Sequence, residues 1–168
     1  MKFSLIICTF ERPDSLIRLL YSLQEQSLYP NEVLIVDGSH SKLTEDRIER
    51  EKILNIKYFK VAEKDRGLTK QRNFGIKRVS NEMEIICFLD DDVVLTPNFF
   101  DELLSTYGKY PKAVGVGGYI INEASWSEVS EAVKFNEFPF EGGVRGLGSR
   151  NLLRKKIGLL SKDPPGYM

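Results

Sequence analysis

Short apolar runs separated by helix-length amphipathic stretches constrain this chain more than any other feature. Five runs, Phe3 to Thr9, Glu32 to Asp37, Ile56 to Ala62, Glu84 to Leu89 and Ala113 to Ile121, read as strands with little polar alternation. Strands apolar on both sides are covered on both faces, and parallel neighbours need a crossover between them. The pattern predicts an α/β fold, an open, mostly parallel, Rossmann-like sheet with helices on both faces. Pro13 suits a first helical turn, after which Leu16, Leu19, Leu20 and Leu23 mark one face. Further helices are expected from Leu43 or Thr44 to about Lys52, from Leu68 to Val79, and from Thr96-Pro97 to about Tyr107. The third carries Leu68, Arg72, Gly75, Ile76 and Val79 along one side; the fourth turns Phe100, Leu103 and Leu104 inward.

With 168 residues the chain fits one domain. Residues 1–121 form the expected α/β core. Residues 122–168 hold Pro139, Gly142-Gly143, Gly146, Gly148 and Pro164-Pro165 without sustained periodicity, although Ser127 to Val133 fits a short helix. A tail of that kind is expected to be a functional loop, a mobile segment or the start of an acceptor-binding part. Lys plus Arg and Asp plus Glu are 24 each, so net charge gives no support to a nucleic-acid surface. Cys8 and Cys87 fall inside apolar runs and read as reduced core thiols of a cytoplasmic protein. With His40 as the one histidine and no Cys-x-x-Cys pair, a structural zinc site has no ligand set. No apolar stretch approaches the ~20 residues of a membrane span.

The densest chemistry lies at Asp90-Asp91-Asp92, directly after Ile85-Ile86-Cys87-Phe88-Leu89. Two carboxylates held ~4 Å apart repel by roughly 4 kcal/mol at an effective dielectric of about 20, so a cation is expected beside them. In extended chain Asp90 and Asp92 point one way and Asp91 the other. That spacing suits two oxygens on one hard divalent ion, Mg²⁺ or Mn²⁺. A solvated acidic turn ahead of the next helix explains the triplet equally well. In open α/β sheets, ligands bind outside the carboxyl ends of the strands. Thr9, Phe10, Glu11 and Arg12 follow the first run, and Asp37, Gly38 and Ser39 the second, so four acids and an arginine would meet on one rim. Asp37-Gly38 alone is an ordinary turn. Arg72, on the apolar side of its helix, needs a partner, either Asp37 or a ligand phosphate, unless it snorkels past the sheet edge.

The stretches SLIICTFERPDSLIRLLYSLQEQSL, EVLIVDGS, DRGLTKQRNFGI and IICFLDDDVVLTPNFFDELL occur in that order between about residues 3 and 121. Together they resemble the family 2, GT-A type, nucleotide-sugar-dependent glycosyltransferases. The resemblance implies a nucleoside-diphosphate sugar bound at the sheet edge with Mg²⁺ or Mn²⁺, and transfer, with inversion, to a glycan, lipid-linked or small-molecule acceptor. It puts Thr9, Glu11 and Arg12 beside the nucleotide, Asp37 on the base or ribose, and Arg72 near the base. Asp90 and Asp91 fall toward the ribose, with Asp92, and Asp90 beside it, on the metal. Such enzymes draw their general base from a later part of the chain. Here Glu123, Glu128, Glu131, Glu137 and Glu141 stand in the irregular segment and none is singled out. Gly142 to Arg154, with Arg145, Arg150 and Arg154, reads as a solvated basic loop or a lid. The end at Pro164 to Met168 is what the donor-binding part of a longer enzyme would show, and the lack of a span is compatible with association at the inner face of a membrane.

Two other readings compete. FLDDDVVL also fits the Asp-x-Asp-x-Val pattern of haloacid-dehalogenase-like phosphatases, with Asp90 as nucleophile and Asp92 as acid/base. There the motif follows the first strand, whereas three expected strands precede it here. A non-catalytic nucleotide- or sugar-binding module is the other. Serine or cysteine hydrolysis lacks a Gly-x-Ser-x-Gly elbow.

Overall fold

The computed structural model describes residues 1–53 and 55–118. Within them β1 (Phe3–Thr9), α1 (Pro13–Gln24), β2 (Glu32–Asp37), α2 (Leu43–Glu51), β3 (Ile56–Lys60), α3 (Leu68–Ile76), β4 (Ile85–Asp90) and α4 (Phe99–Lys109) follow one another, with a 3-10 turn at Glu63–Asp65. All pairings are parallel and the strand order is β3-β2-β1-β4. Order reverses beside β1, so the carboxyl ends of β1, β2 and β4 surround a switch point, where an open sheet leaves a crevice.

Side-chain alternation divides the core into two layers. Phe3, Leu5 and Ile7 of β1, Val33 and Ile35 of β2, and Ile85 and Cys87 of β4 pack against the leucines of α1, Ile48 of α2 and Phe100, Leu104 and Tyr107 of α4. On the opposite face Ile6, Leu34, Val36 and Ile86 meet Ile76 of α3 together with Val79 and Met83. Helices therefore cover both faces, and Leu16, Leu19, Leu20 and Leu23 are fully buried as the sequence predicts. Gly75 lets α3 approach β1 closely: a Cβ there would stand 2.9 Å from Cγ2 of Ile6.

The sheet is pinned at its amino-terminal end by Glu32. Its carboxylate accepts hydrogen bonds from Lys57 Nζ, Ser4 Oγ (2.6 Å), and the amide (3.1 Å) and hydroxyl (2.8 Å) of Ser80. Burial works to raise its pKa, but these donors together outweigh burial and hold it at about 2.

Some boundaries differ from expectation. β3 stops at Lys60, α3 at Ile76, and α4 starts at Phe99. The strand expected over Ala113 to Ile121 is not formed across its described portion, 113–118. Gly115, Gly117 and Gly118 leave that stretch short of side chains to pack and raise the entropy lost on extension. The expected helix at Ser127 to Val133, the five glutamates from Glu123 to Glu141 and the arginine loop lie outside the described residues.

Candidate active site

A cleft of about 480 Å³ opens at the carboxyl ends of β1 and β4, lined by residues of β1 and its following loop, the loop into α3, and the acidic triplet. Strand alternation explains how the triplet is deployed. Asp90 continues the Ile86 and Phe88 side of β4 and so faces α3, where its Oδ1 accepts a 3.0 Å bond from Arg72 Nη2. Asp91 falls on the α1 side, is 6% exposed, and accepts a 2.6 Å bond from the hydroxyl of buried Thr9. The strand ends at Asp90 and the chain turns, so alternation no longer sets the direction of Asp92. Instead Arg12 Nη1 reaches both Asp92 (3.2 Å) and, more distantly, Asp91 (3.5 Å). The triplet thus forms two ion-paired groups, Asp90 with Arg72 and Asp91 and Asp92 with Arg12, with all three acids lining the same cleft.

Arg72 lies beside Asp90 rather than Asp37, with its guanidinium 5.6 Å from the ring centroid of Phe88. Asp37 is fully buried on the face of α1 and α2, accepting from Ser39 N (2.7 Å) and Tyr58 Oη (2.6 Å). Burial, then the Asp37 carboxylate, push the Tyr58 phenol well above its ordinary range. Both oxygens of Asp37 are thereby engaged from within, and it is not part of the cleft lining.

Glu11 stays exposed but reaches across to the loop after β2. Its Oε1 accepts the amides of His40 (2.6 Å) and Ser41 (3.1 Å), its Oε2 accepts the Ser41 hydroxyl (2.7 Å), and its own amide donates to Ser39 Oγ (2.7 Å). The Ser41 hydroxyl, helped by the Ser41 and His40 amides, holds its carboxyl below the ordinary range. These bonds hold Glu11 at φ 53°, a left-handed conformation unusual for a residue with a side chain. Glu11 joins the β1 and β2 loops; Thr9 and Arg12, its near neighbours, are the ones that line the cleft.

Six other lining residues, Cys8, Phe10, Arg66, Gly67, Leu68 and Gln71, lie within the motifs without being among the expected site residues. Phe10 and Leu68 are each 49% exposed and give the cleft an apolar ledge. Arg66 Nη1 donates to His40 Nδ1, 3.0 Å away, and among the described residues no carboxylate forms an ion pair with it. Gly67 takes φ 106°, a turn suited to glycine. The Cys8 thiol is pushed up to about 12, first by burial, and is no nucleophile at neutral pH. Gln71, 3% exposed, would have been found by a helical stripe shifted one residue from the Arg72 line, since the buried residues of α3 are Gln71, Gly75 and Ile76.

The arrangement offers hard oxygen ligands, Arg12 paired with acids, Arg66 outside any such pair, and an apolar surface within one cleft, with Arg72 holding Asp90 from outside the lining. Among the described residues no three His, Cys, Asp or Glu side chains come together as a metal site. Asp90 and Asp92, both more than half exposed, can give one or two oxygens to an ion whose remaining positions are filled by phosphate and water.

Residues 4–158 match glycosyl transferase family 2. The chain is 32% identical over 156 residues to the uncharacterized glycosyltransferase YwdF of Bacillus subtilis, spanning 90% of this chain and 49% of that protein. It is 28% identical over 125 residues to the glucosyl-dolichyl phosphate glucuronosyltransferase of Haloferax volcanii, 72% of this chain and 39% of the relative. The chain thus spans less than half the length of these curated relatives. Among solved structures, S. aureus TarS 1-349 in complex with UDP-GlcNAc is 26% identical with a TM-score of 0.57, covering 73% of this chain and 37% of that one. The mannosyltransferase PcManGT of Pyrobaculum calidifontis, solved with GDP-Man and Mn²⁺, shares the fold at 21% identity and a TM-score of 0.54 over 69% of this chain and 34% of that one.

Proposed function

Because the chain belongs to glycosyl transferase family 2, we propose that the cleft beside β1 and β4 binds a nucleoside-diphosphate sugar and that the described residues are the donor-binding part of a sugar transferase. The observation that carries this reading is the cleft itself: three aspartates, an apolar ledge and Arg66, free of any described acid, meet at the switch point of a parallel sheet. A diphosphate needs cationic partners, a base needs an apolar or aromatic surface, and a hard ion needs carboxylate oxygens; the cleft presents each. The TarS structure supports the donor class and PcManGT the type of ion, each by what was bound in that protein.

In this reading Asp92, with Asp90 beside it, holds Mn²⁺ or Mg²⁺. The ion would neutralise charge gathering on the departing diphosphate. Arg12 fixes Asp92 and Asp91 in place, Thr9 anchors Asp91, and Arg72 sets the direction of Asp90. Asp37 and Glu11 act on the nucleotide through the loops they brace. The acceptor hydroxyl attacks the anomeric carbon with inversion, assisted by a carboxylate from beyond residue 118. A lipid-linked acceptor is one class that fits, given the dolichyl phosphate substrate in the name of the Haloferax relative. Among the described residues no helix is long and apolar enough to cross a membrane, and our reading places the chain in the cytoplasm, at the inner membrane face when the acceptor is a lipid.

The phosphatase alternative loses its footing in the topology: the triplet follows the fourth strand, and Asp90 is engaged by Arg72. Thermal shift with UDP, GDP, dTDP and ADP, each with and without Mn²⁺, tests the proposal. A ligand at about a hundred times its Kd adds about 2.7 kcal/mol of stability, so one base should raise Tm by several degrees, and only with the ion. A flat panel overturns the proposal.

A further inference from the structure

We infer that Gln71 is a positioning residue that sets the shape of the donor cleft, an inference resting on the functional reading above. Its side-chain amide is 3% exposed and has every donor in use: Nε2 donates to Thr9 O (3.0 Å) and Val36 O (2.7 Å), while Oε1 accepts from Gly67 N (3.2 Å). One planar group therefore ties the ends of two neighbouring strands to the turn that opens α3. The partners settle its orientation, because two carbonyls must face the NH₂ and the amide N–H must face the oxygen.

Each tie leads to a cleft wall. Thr9, held through its carbonyl, presents its hydroxyl to Asp91. Gly67, held through its amide at φ 106°, sets the direction of its neighbours Arg66 and Leu68, both in the lining. The end of β2, held at Val36, leads into Asp37 and the loop braced by Glu11. Carboxylate wall, basic wall and β2 loop thus share one reference point. An apolar side chain of equal volume would fill the space but sever all three ties, leaving Thr9 O its bond from Gly38 N and the exposed Gly67 amide to solvent.

Gly38 gives the second line of argument. A Cβ at that position would lie 3.2 Å from Gln71 Oε1, 3.3 Å from Cδ and 3.4 Å from Nε2. The flat amide packs on the open face of a glycine, and bonds on three sides prevent it from yielding. A methyl at residue 38 should move the amide even though residue 38 is not among the lining residues.

The test is a double-mutant cycle read as affinity for the nucleoside diphosphate with Mn²⁺, measured by calorimetry at a temperature where each variant is folded by circular dichroism. Gln71→Met should weaken binding about tenfold, the equivalent of one lost hydrogen bond of about 1.4 kcal/mol. Gly38→Ala alone should weaken it severalfold, and the Gly38→Ala/Gln71→Ala pair should bind no worse than Gln71→Ala, since the methyl then has room. If Gln71→Met fails to fold, Gly38→Ala decides alone. Unchanged affinity in folded variants, with only Tm lowered, overturns the positioning role while leaving the donor cleft intact. Absence of nucleotide binding by the parent protein overturns the functional reading and this inference together.

Discussion

Replacing Thr9 by Val removes the hydroxyl that anchors Asp91 while keeping a β-branched side chain of the same shape, so no cavity is left. The bond is 2.6 Å long, between a residue 3% exposed and a carboxylate 6% exposed. The other described partner of Asp91 is Arg12, 3.5 Å away with a side chain 58% exposed, a geometry in which an ion pair contributes little. A hydrogen bond to a charged group contributes roughly 1.5–3 kcal/mol, and losing it leaves a buried carboxylate underserved. We expect Thr9→Val to cost about 2 kcal/mol, with an unchanged denaturant slope and a Tm lowered by roughly 4–8 °C for a chain of this size. Guanidinium unfolding followed by circular dichroism measures it. The double variant Thr9→Val/Asp91→Asn should cost less than the two single losses summed. A Thr9→Val protein within about 0.5 kcal/mol of the parent, the spread of ordinary surface substitutions, would refute this account of the anchor.

Three further outcomes follow from the same structure. Glu32 has a pKa near 2 in the fold against an ordinary 4.5, so the unfolded chain binds its proton more readily. Its contribution of roughly 3 kcal/mol is then complete above about pH 5 and lost as pH falls toward 2. Glu32→Gln should flatten the stability profile across that window, measured by denaturant titration at successive pH values. Gly75→Ala pushes a methyl to 2.9 Å from Ile6 Cγ2 and should cost about 1–3 kcal/mol through overpacking, while an equally stable variant would contradict the close approach of α3 to β1. Asp92→Ala, at a side chain 55% exposed, should leave Tm nearly unchanged yet abolish the dependence of nucleotide affinity on Mn²⁺, as read by calorimetry with and without the ion.

The layers of this fold are legible because burial writes itself into sequence at fixed periods. Residues of β1 alternate between two cores, and the leucine positions of α1 recur at helical spacing, so β1 is legible by its bounds and α1 by its start at Pro13 and its buried face. Glycine-rich stretches carry no such signal, and 113–118, apolar enough to suggest a strand, forms none. In the cleft, residue types that bind ions were visible, but their directions were not. Alternation does place Asp90 and Asp91 on opposite faces, and it fails at Asp92 because the strand ends there. Arg72 was aligned with the apolar stripe of α3, whereas the buried line runs through Gln71; a stripe defined by hydrophobicity passes over an amide that buries itself by bonding backbone. Glu11 and Asp37 stand out as acids at strand ends, yet Glu11 serves the His40 and Ser41 amides, 29 and 30 residues on, and Asp37 serves the nearby Ser39 amide and Tyr58, 21 residues on.

The claim at the centre is that the exposed carboxylates after β4 hold a divalent ion against the diphosphate of a sugar nucleotide. Crystals of the protein soaked with Mn²⁺ and the nucleoside diphosphate preferred in the thermal panel test it most directly, through the anomalous signal of manganese. We predict a peak within coordination distance of Asp92 or Asp90 and of a phosphate oxygen, with the base toward Phe10 and Leu68. Nucleotide density in the cleft with no anomalous peak beside these aspartates, or a peak elsewhere on the chain, would contradict it.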